Sequence, residues 1–167
     1  NKDNSARLRR LEGLRDVFRE VCPEGRFLVR TCTITPEQER GDLNIEHRTG
    51  YTLARRCMAE RDITAFVAVN DMVAYGVLDA LEREGYRVPE DFSLCGFDNV
   101  TSSGYQRIQL TSVENYTFNH GKSAFNLLLE RIEGGLNNRE DQPINRVEYR
   151  SRLIVRGSTG KPRSTGL

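Results

Sequence analysis

Thr64-Ala65-Phe66-Val67-Ala68-Val69-Asn70-Asp71-Met72-Val73-Ala74-Tyr75-Gly76 is the stretch that decides the fold class. Its first half, Ala65 to Val69, is a short continuous apolar run, the pattern of a strand buried on both faces. Its second half opens a helix. Asp71 reads as the N-cap, and Val73, Val77, Leu78 and Leu81 line one side. Gly85 stands where a C′ glycine is expected.

Upstream, Leu8, Leu11, Leu14, Phe18 and Val21 share one face of an amphipathic helix that begins at Ser5 and is stopped by Pro23 and Gly25. Phe27 to Cys32 reads as a strand. A polar loop with Pro36 and Gly41 follows, then a helix from His47 to Glu60 with Tyr51, Ala54 and Met58 inward. Downstream, Val88-Pro89-Glu90-Asp91 is a turn before a strand from Phe92 to Gly96. Helical patterns alternating with strands imply parallel pairing and right-handed crossovers. After Asp98 the rhythm changes. Asn99 to Gln109 reads as a loop, Leu110 to Glu114 as a strand, and Asn119 to Glu133 as a helix with Ala124, Phe125, Leu128 and Ile132 inward. Gly134-Gly135 ends that helix, a polar stretch runs through Pro143, and a last strand lies near Glu148 to Val155. The tail from Gly157 to Leu167 has the composition of a frayed end.

A chain of 167 residues suits one α/β domain with a real core, or one and a half small ones. Its 25 basic and 24 acidic residues leave a net charge of +1, so no global field favours a polyanion and this segment is not expected to bind nucleic acid itself. Arg7, Arg9, Arg10, Arg15 and Arg19 alternate with Glu12, Asp16 and Glu20, the pattern of an ion-paired solvated helix face. No apolar run approaches the roughly 20 residues that span a bilayer, and the polar, basic start carries no leader pattern. Asn1 in place of Met reads as a processed or excised chain. Cys22, Cys32, Cys57 and Cys95 form no CxxC pair, and two of them sit in apolar runs, so the expectation is a reduced, cytoplasmic protein without a disulfide or zinc framework. His47 and His120 have no Cys or Ser partner at an interpretable spacing, and neither glycine cluster has the strand-to-helix context of a phosphate loop. No enzyme, cofactor or metal centre is expected.

In open parallel sheets, ligands sit beyond the carboxyl ends of the strands. Asn70 and Asp71 end one strand and Asp98 ends its expected neighbour. Carboxylate and amide oxygens accept from adjacent hydroxyls of a polyol in fixed directions, and Arg10 could complete the site by forking onto ligand oxygens. Asn70 reads equally as a strand-end turn residue, Asp98 also as the organiser of its own turn, and Arg10 also as a surface arginine. Met72 and Tyr75 fall away from their helix's core stripe, as interface anchors or as a cover for the next strand.

Several segments together resemble the lactose-repressor/galactose-repressor family. Thr64–Gly76 is similar to its strand–(N/D)D–helix signature, Val88–Asn99 to its VP-x-D, apolar strand, GFD(N/D) segment, and Leu110–Val113 to its LTS(I/V) crossover strand. Arg10–Leu14 resembles an R-x-x-G-aromatic helix with Leu14 in place of the aromatic, and Leu153–Thr159 its closing (L/V)(I/V)-x-R-x-S-T. The resemblance runs from about Ser5 to Thr159. It implies an α/β fold with a parallel sheet flanked by helices, the Rossmann-like C-terminal subdomain of a type I periplasmic-binding-protein-like sensor. Residues 1–109 and 148–159 would form that subdomain, 110–147 would belong to an incomplete N-terminal subdomain, and 160–167 would be a flexible tail. It places Arg10, Asn70 and Asp98 on effector-contacting positions, Asn115 at the hinge, and Ile45 where relatives often stack an aromatic on the ligand. It implies a sugar-like effector, a homodimer through the Met72/Tyr75 helix and the loop Val100–Arg107, DNA contact only through a helix-turn-helix outside this chain, and no membrane. An extracytoplasmic sugar-binding component of a transporter has the same fold and is the competing reading.

Overall fold

The computed structural model describes residues 5–60, 62–133 and 145–163; the helix stop at Gly134-Gly135 and the polar stretch through Pro143 lie outside them. At the centre, two helices cross with no side chain between their backbones. These are α3 (Ile45–Cys57) and α4 (Asp71–Arg83). A Cβ on Gly50 would strike the Val73 carbonyl, and a Cβ on Gly76 would strike the His47 carbonyl. Glycine at both points is what permits so close an approach.

The core forms around that crossing. Ala54, Ala74, Val77, Ala80 and Leu81 of the helices pack with Ala68, Phe92, Leu94 and Leu110, all buried. Phe92 meets Phe66 at 5.4 Å and Tyr86 at 5.1 Å between ring centroids, tilted and edge-on, the geometries aromatic pairs prefer. Against the helices lies one sheet in the order β1 (Ala65–Val67), β2 (Ser93–Phe97), β3 (Thr111–Glu114), β4 (Arg152–Ile154). The first three strands are parallel, as the alternation implied, while β4 runs antiparallel to β3.

Several sequence expectations are corrected. β1 is an edge strand, not one buried on both faces, and Val67 is 55% exposed. Phe27–Cys32 joins no ladder, because an apolar run becomes a strand only where a free edge lies about 4.8 Å away. Pro36 and Gly41 bound a short helix, α2 (Pro36–Gly41), instead of a loop; Thr35 and Gln38 form its capping box. The expected inward residues of α5 (Thr117–Glu133) are exposed: Phe125 by 63% and Ile132 by 63%. α1 (Ser5–Val21) buries no residue either: of its expected apolar face Leu8, Leu14 and Val21 are exposed, while Leu11 and Phe18 are half-buried.

The closing segment is not frayed as far as Arg163. Ser158 is buried, donates to the Leu94 carbonyl and accepts from the Thr111 amide, while Gly160 donates to Ser93 and Arg163 to the Ile63 carbonyl. Residues 164–167 lie outside the described chain.

Candidate functional site

β1 and β2 end side by side, and their carboxyl ends carry Val69-Asn70 and Phe97-Asp98. α1 lays Arg10 across both ends. One of its N–H groups donates to the Val69 carbonyl at 2.9 Å, and its guanidinium carbon stands 3.6 Å above the centre of the Phe97 ring. Cation–π contact and a backbone acceptor thus hold the planar head in place. A guanidinium has five N–H donors, so others remain for a bound molecule. Burial lowers the Arg10 pKa, and the nearby Asp98 works against that shift.

Asp98 sits in the left-handed region with φ 107°, and Asn99 follows at 49°. Such a pair costs backbone energy unless the surroundings enforce it. Here they do. The Asp98 amide donates to the Val113 carbonyl, the Asn99 amide to Ser112 Oγ and the Val100 amide to Asp71. The Asn99 side chain donates to Glu114 and accepts from Arg156. The Asp98 carboxylate accepts from Asn115 Nδ2 at 2.8 Å. Burial pushes its pKa up, and Arg10 offsets part of that rise.

The structure therefore brings together Arg10, Asp98 and Asn115, with Asn70 next to the carbonyl that Arg10 grips. Asn70, not Asp71, caps α4: its Oδ1 accepts the Val73 amide at 2.9 Å. Asp71 is the first helical residue, 1% exposed, and its carboxylate is claimed by Ser103, Ser112 and the Val100 amide. Ile45 lies apart, lining a shallow groove of about 190 Å³ with Cys32, Ile34 and Gln38. Its neighbour Glu46 points to the cluster instead, 3.4 Å from Arg7 and close enough to act on Asp98. Sequence reasoning passed over Arg7 and Glu46. The signal was there for Arg7, which lies one helical turn before Arg10 on the same face.

Met72 is exposed at 37%, as expected, but Tyr75 is not: it packs on the core and its hydroxyl lies 2.8 Å from Ser102 Oγ and 2.7 Å from Ser103 Oγ. The tyrosine's hydroxyl needs buried partners, and the 3₁₀ turn Thr101–Gly104 supplies them.

Chemically, the cluster sets two guanidinium and two carboxylate groups beside an amide at the carboxyl ends of β1 and β2. Their charges balance, which suits a neutral molecule rich in hydroxyls. Among the described residues, no three His, Cys, Asp or Glu side chains gather as metal ligands. No described helix is long and apolar enough to cross a membrane.

The periplasmic binding protein-like domain family matches residues 2–159. Over 119 residues the chain is 35% identical to the HTH-type transcriptional repressor PurR of Mannheimia succiniciproducens, covering 71% of this chain and 34% of that protein. The chain thus spans about a third of the length of the curated relatives it matches. A LacI-family transcriptional regulatory protein from Corynebacterium glutamicum superposes with a TM-score of 0.59 at 30% identity, over 70% of this chain and 43% of that one. A LacI-family regulator from Enterococcus faecium with bound ribose superposes with a TM-score of 0.58 at 29% identity, over 68% and 40%.

Proposed function

The chain belongs to the periplasmic binding protein-like domain family, and from that premise we propose that it is the effector-sensing module of a DNA-binding transcriptional regulator of the lactose-repressor type. The effector is a sugar or sugar derivative. Arg10, Asp98 and Asn115 hold its hydroxyls, Asn70 offers its amide edge, and Glu46 and Arg7 complete the rim. The observation that carries this reading is the meeting of Arg10 and Asp98 over the ends of two neighbouring parallel strands. A relative solved with bound ribose supports the ligand class. The relatives named above are regulators, which sets the transporter reading aside.

The second lobe of the cleft contains α5, whose bare apolar face needs a partner surface, and the hinge lies at Asn115. Two copies pair through α4, with Met72 and the loop Val100–Arg107 at the contact. DNA is read by a helix-turn-helix outside this chain. Effector closes the lobes, and closure changes how the pair presents its DNA-reading heads. That works only if open and closed forms bind effector with different affinities, because equal affinity shifts nothing.

A calorimetric titration of the full-length gene product with a panel led by D-ribose tests the reading. At least one sugar should bind, and Asp98→Ala should weaken it at least tenfold while remaining folded by circular dichroism. Unchanged affinity in a folded variant removes Asp98 from the site. No binding across pentoses, hexoses and disaccharides overturns the sugar-sensor reading.

A further inference from the structure

Asp71 is buried, and among the described residues its carboxyl oxygens are held by two hydroxyls and an amide. Its Oδ1 accepts from Ser112 Oγ at 2.6 Å; its Oδ2 accepts from Ser103 Oγ at 2.6 Å and from the Val100 amide at 2.9 Å. A buried carboxylate is tolerated when hydrogen bonds replace its lost water. Even the strand beneath makes room, since a Cβ on Gly96 would collide with Asp71 Oδ1.

Proton bookkeeping gives this cluster a direction. A carboxylate only accepts, and a hydroxyl has one hydrogen to give. Ser103 spends its hydrogen on Asp71, so its oxygen must accept from Tyr75. Tyr75 has then spent its own, so its oxygen accepts from Ser102. On the other side Ser112 spends its hydrogen on Asp71 and accepts from the Asn99 amide. One carboxylate therefore fixes two chains of donors. The first runs from the Thr101–Gly104 turn through the tyrosine of α4. The second runs from the strained turn that follows Asp98.

We propose that Asp71 is a positioning residue that couples the candidate effector turn, Asp98 to Val100, to the outer face carrying Met72, Val100 and Tyr105. The three face residues are exposed by 37%, 37% and 58%. Val100 belongs to both regions, its amide bound to Asp71 and its side chain on the face. A ligand that pulls on Asp98 strains the Asn99 and Val100 amides, and the strain reaches Ser103 and Tyr75 through the shared carboxylate. The functional consequence rests on the sensor reading; the coupling does not.

Hydrogen exchange of the full-length gene product, followed by mass spectrometry without any ligand, tests it. Tyr75→Phe and Ser103→Ala each cut one chain at a point that does not touch Asp98, and both are mild enough to fold. Each should speed exchange in the peptide covering 97–104 about tenfold and leave α3 at its native rate. Combined with Asp98→Asn, Tyr75→Phe should give a change in that peptide different from the sum of the two single effects. Asp71→Asn should show the largest change if it folds. Native exchange at 97–104 in both mild variants overturns the coupling. So does a uniform rise across α3 and 97–104, or strict additivity of the pair. Coupled exchange together with failure of every sugar to bind in the calorimetric titration would leave Asp71 its role and remove the sensor; sugar binding without coupled exchange would remove the coupling alone.

Discussion

α4 and α5 carry the same kind of amphipathic pattern and meet opposite fates. α4 buries Asp71, Ala74, Gly76, Val77, Ala80 and Leu81. α5 is longer, carries Phe118, Phe125, Leu128, Leu129 and Ile132, and buries none of its residues. Periodicity settles that a segment is a helix and which face is apolar; it does not say whether a surface waits to receive that face. α4 has α3 and β2 to lie against. Among the described residues α5 meets Tyr149, whose hydroxyl reaches Ser123 and Asn119 and whose ring lies beside His120.

Glycine offers the sharpest way to break this contrast, because the same substitution should have opposite signs in the two helices. Gly76→Ala drives a methyl group into the His47 carbonyl and should cost more than about 4 kcal/mol, the range reserved for gross steric or cavity defects. Denaturant unfolding reads it, as loss of a cooperative transition or a midpoint far below native. Next in size, Leu81→Ala in the fully buried core should cost about 2–5 kcal/mol, whereas Leu128→Ala, 57% exposed, should stay within about 0.5 kcal/mol. Equal costs in the same urea titration would mean that α5 is packed in solution. Gly121→Ala meets open space and should stabilise α5 by about 0.5–1 kcal/mol through helix propensity alone; a loss of helical ellipticity would contradict that.

The smallest effect extends the contrast to the site. Burial raises the Asp98 pKa above its ordinary value, so the charged form is disfavoured in the folded state. A group shifted this way contributes stability below its unfolded pKa and loses it as pH rises through the folded pKa. Asp98→Asn keeps an acceptor for Asn115, and should therefore melt slightly higher than the native chain at pH 7. The gap should close as pH falls into the carboxyl range. A lower melting temperature at pH 7 would show that the Arg10 attraction outweighs burial.

Most of the packed half could be read from residues alone. The alternation around Thr64–Gly76 placed β1, α4 and β2, and the C′ role of Gly85 holds with φ 81°. What escaped depended on partners far along the chain. Asn70 and Asp71 are both good cap residues, and local sequence cannot choose between them. The choice is made by Val100, Ser103 and Ser112, which claim Asp71 from 29 to 41 positions away. Phe27–Cys32 has strand chemistry but no ladder, and nothing within it records that. α2 was legible and was passed over: Thr35-Pro36-Glu37-Gln38 is a capping box with proline at the helix start. At the candidate site Arg10, Asp98 and Asn115 lie together, Asn115 having been placed only through the family resemblance, while Ile45 lines another groove and Glu46 stands near Asp98.

The bare crossing of α3 and α4 has a consequence for heredity. Every single-nucleotide missense change in a glycine codon installs a side chain, so at Gly50 and Gly76 no one-step neighbour in the genetic code is free of collision. Drift has no gentle exit from either position. Lineages can vary the candidate-site residues around that joint while the joint itself stays closed to experiment.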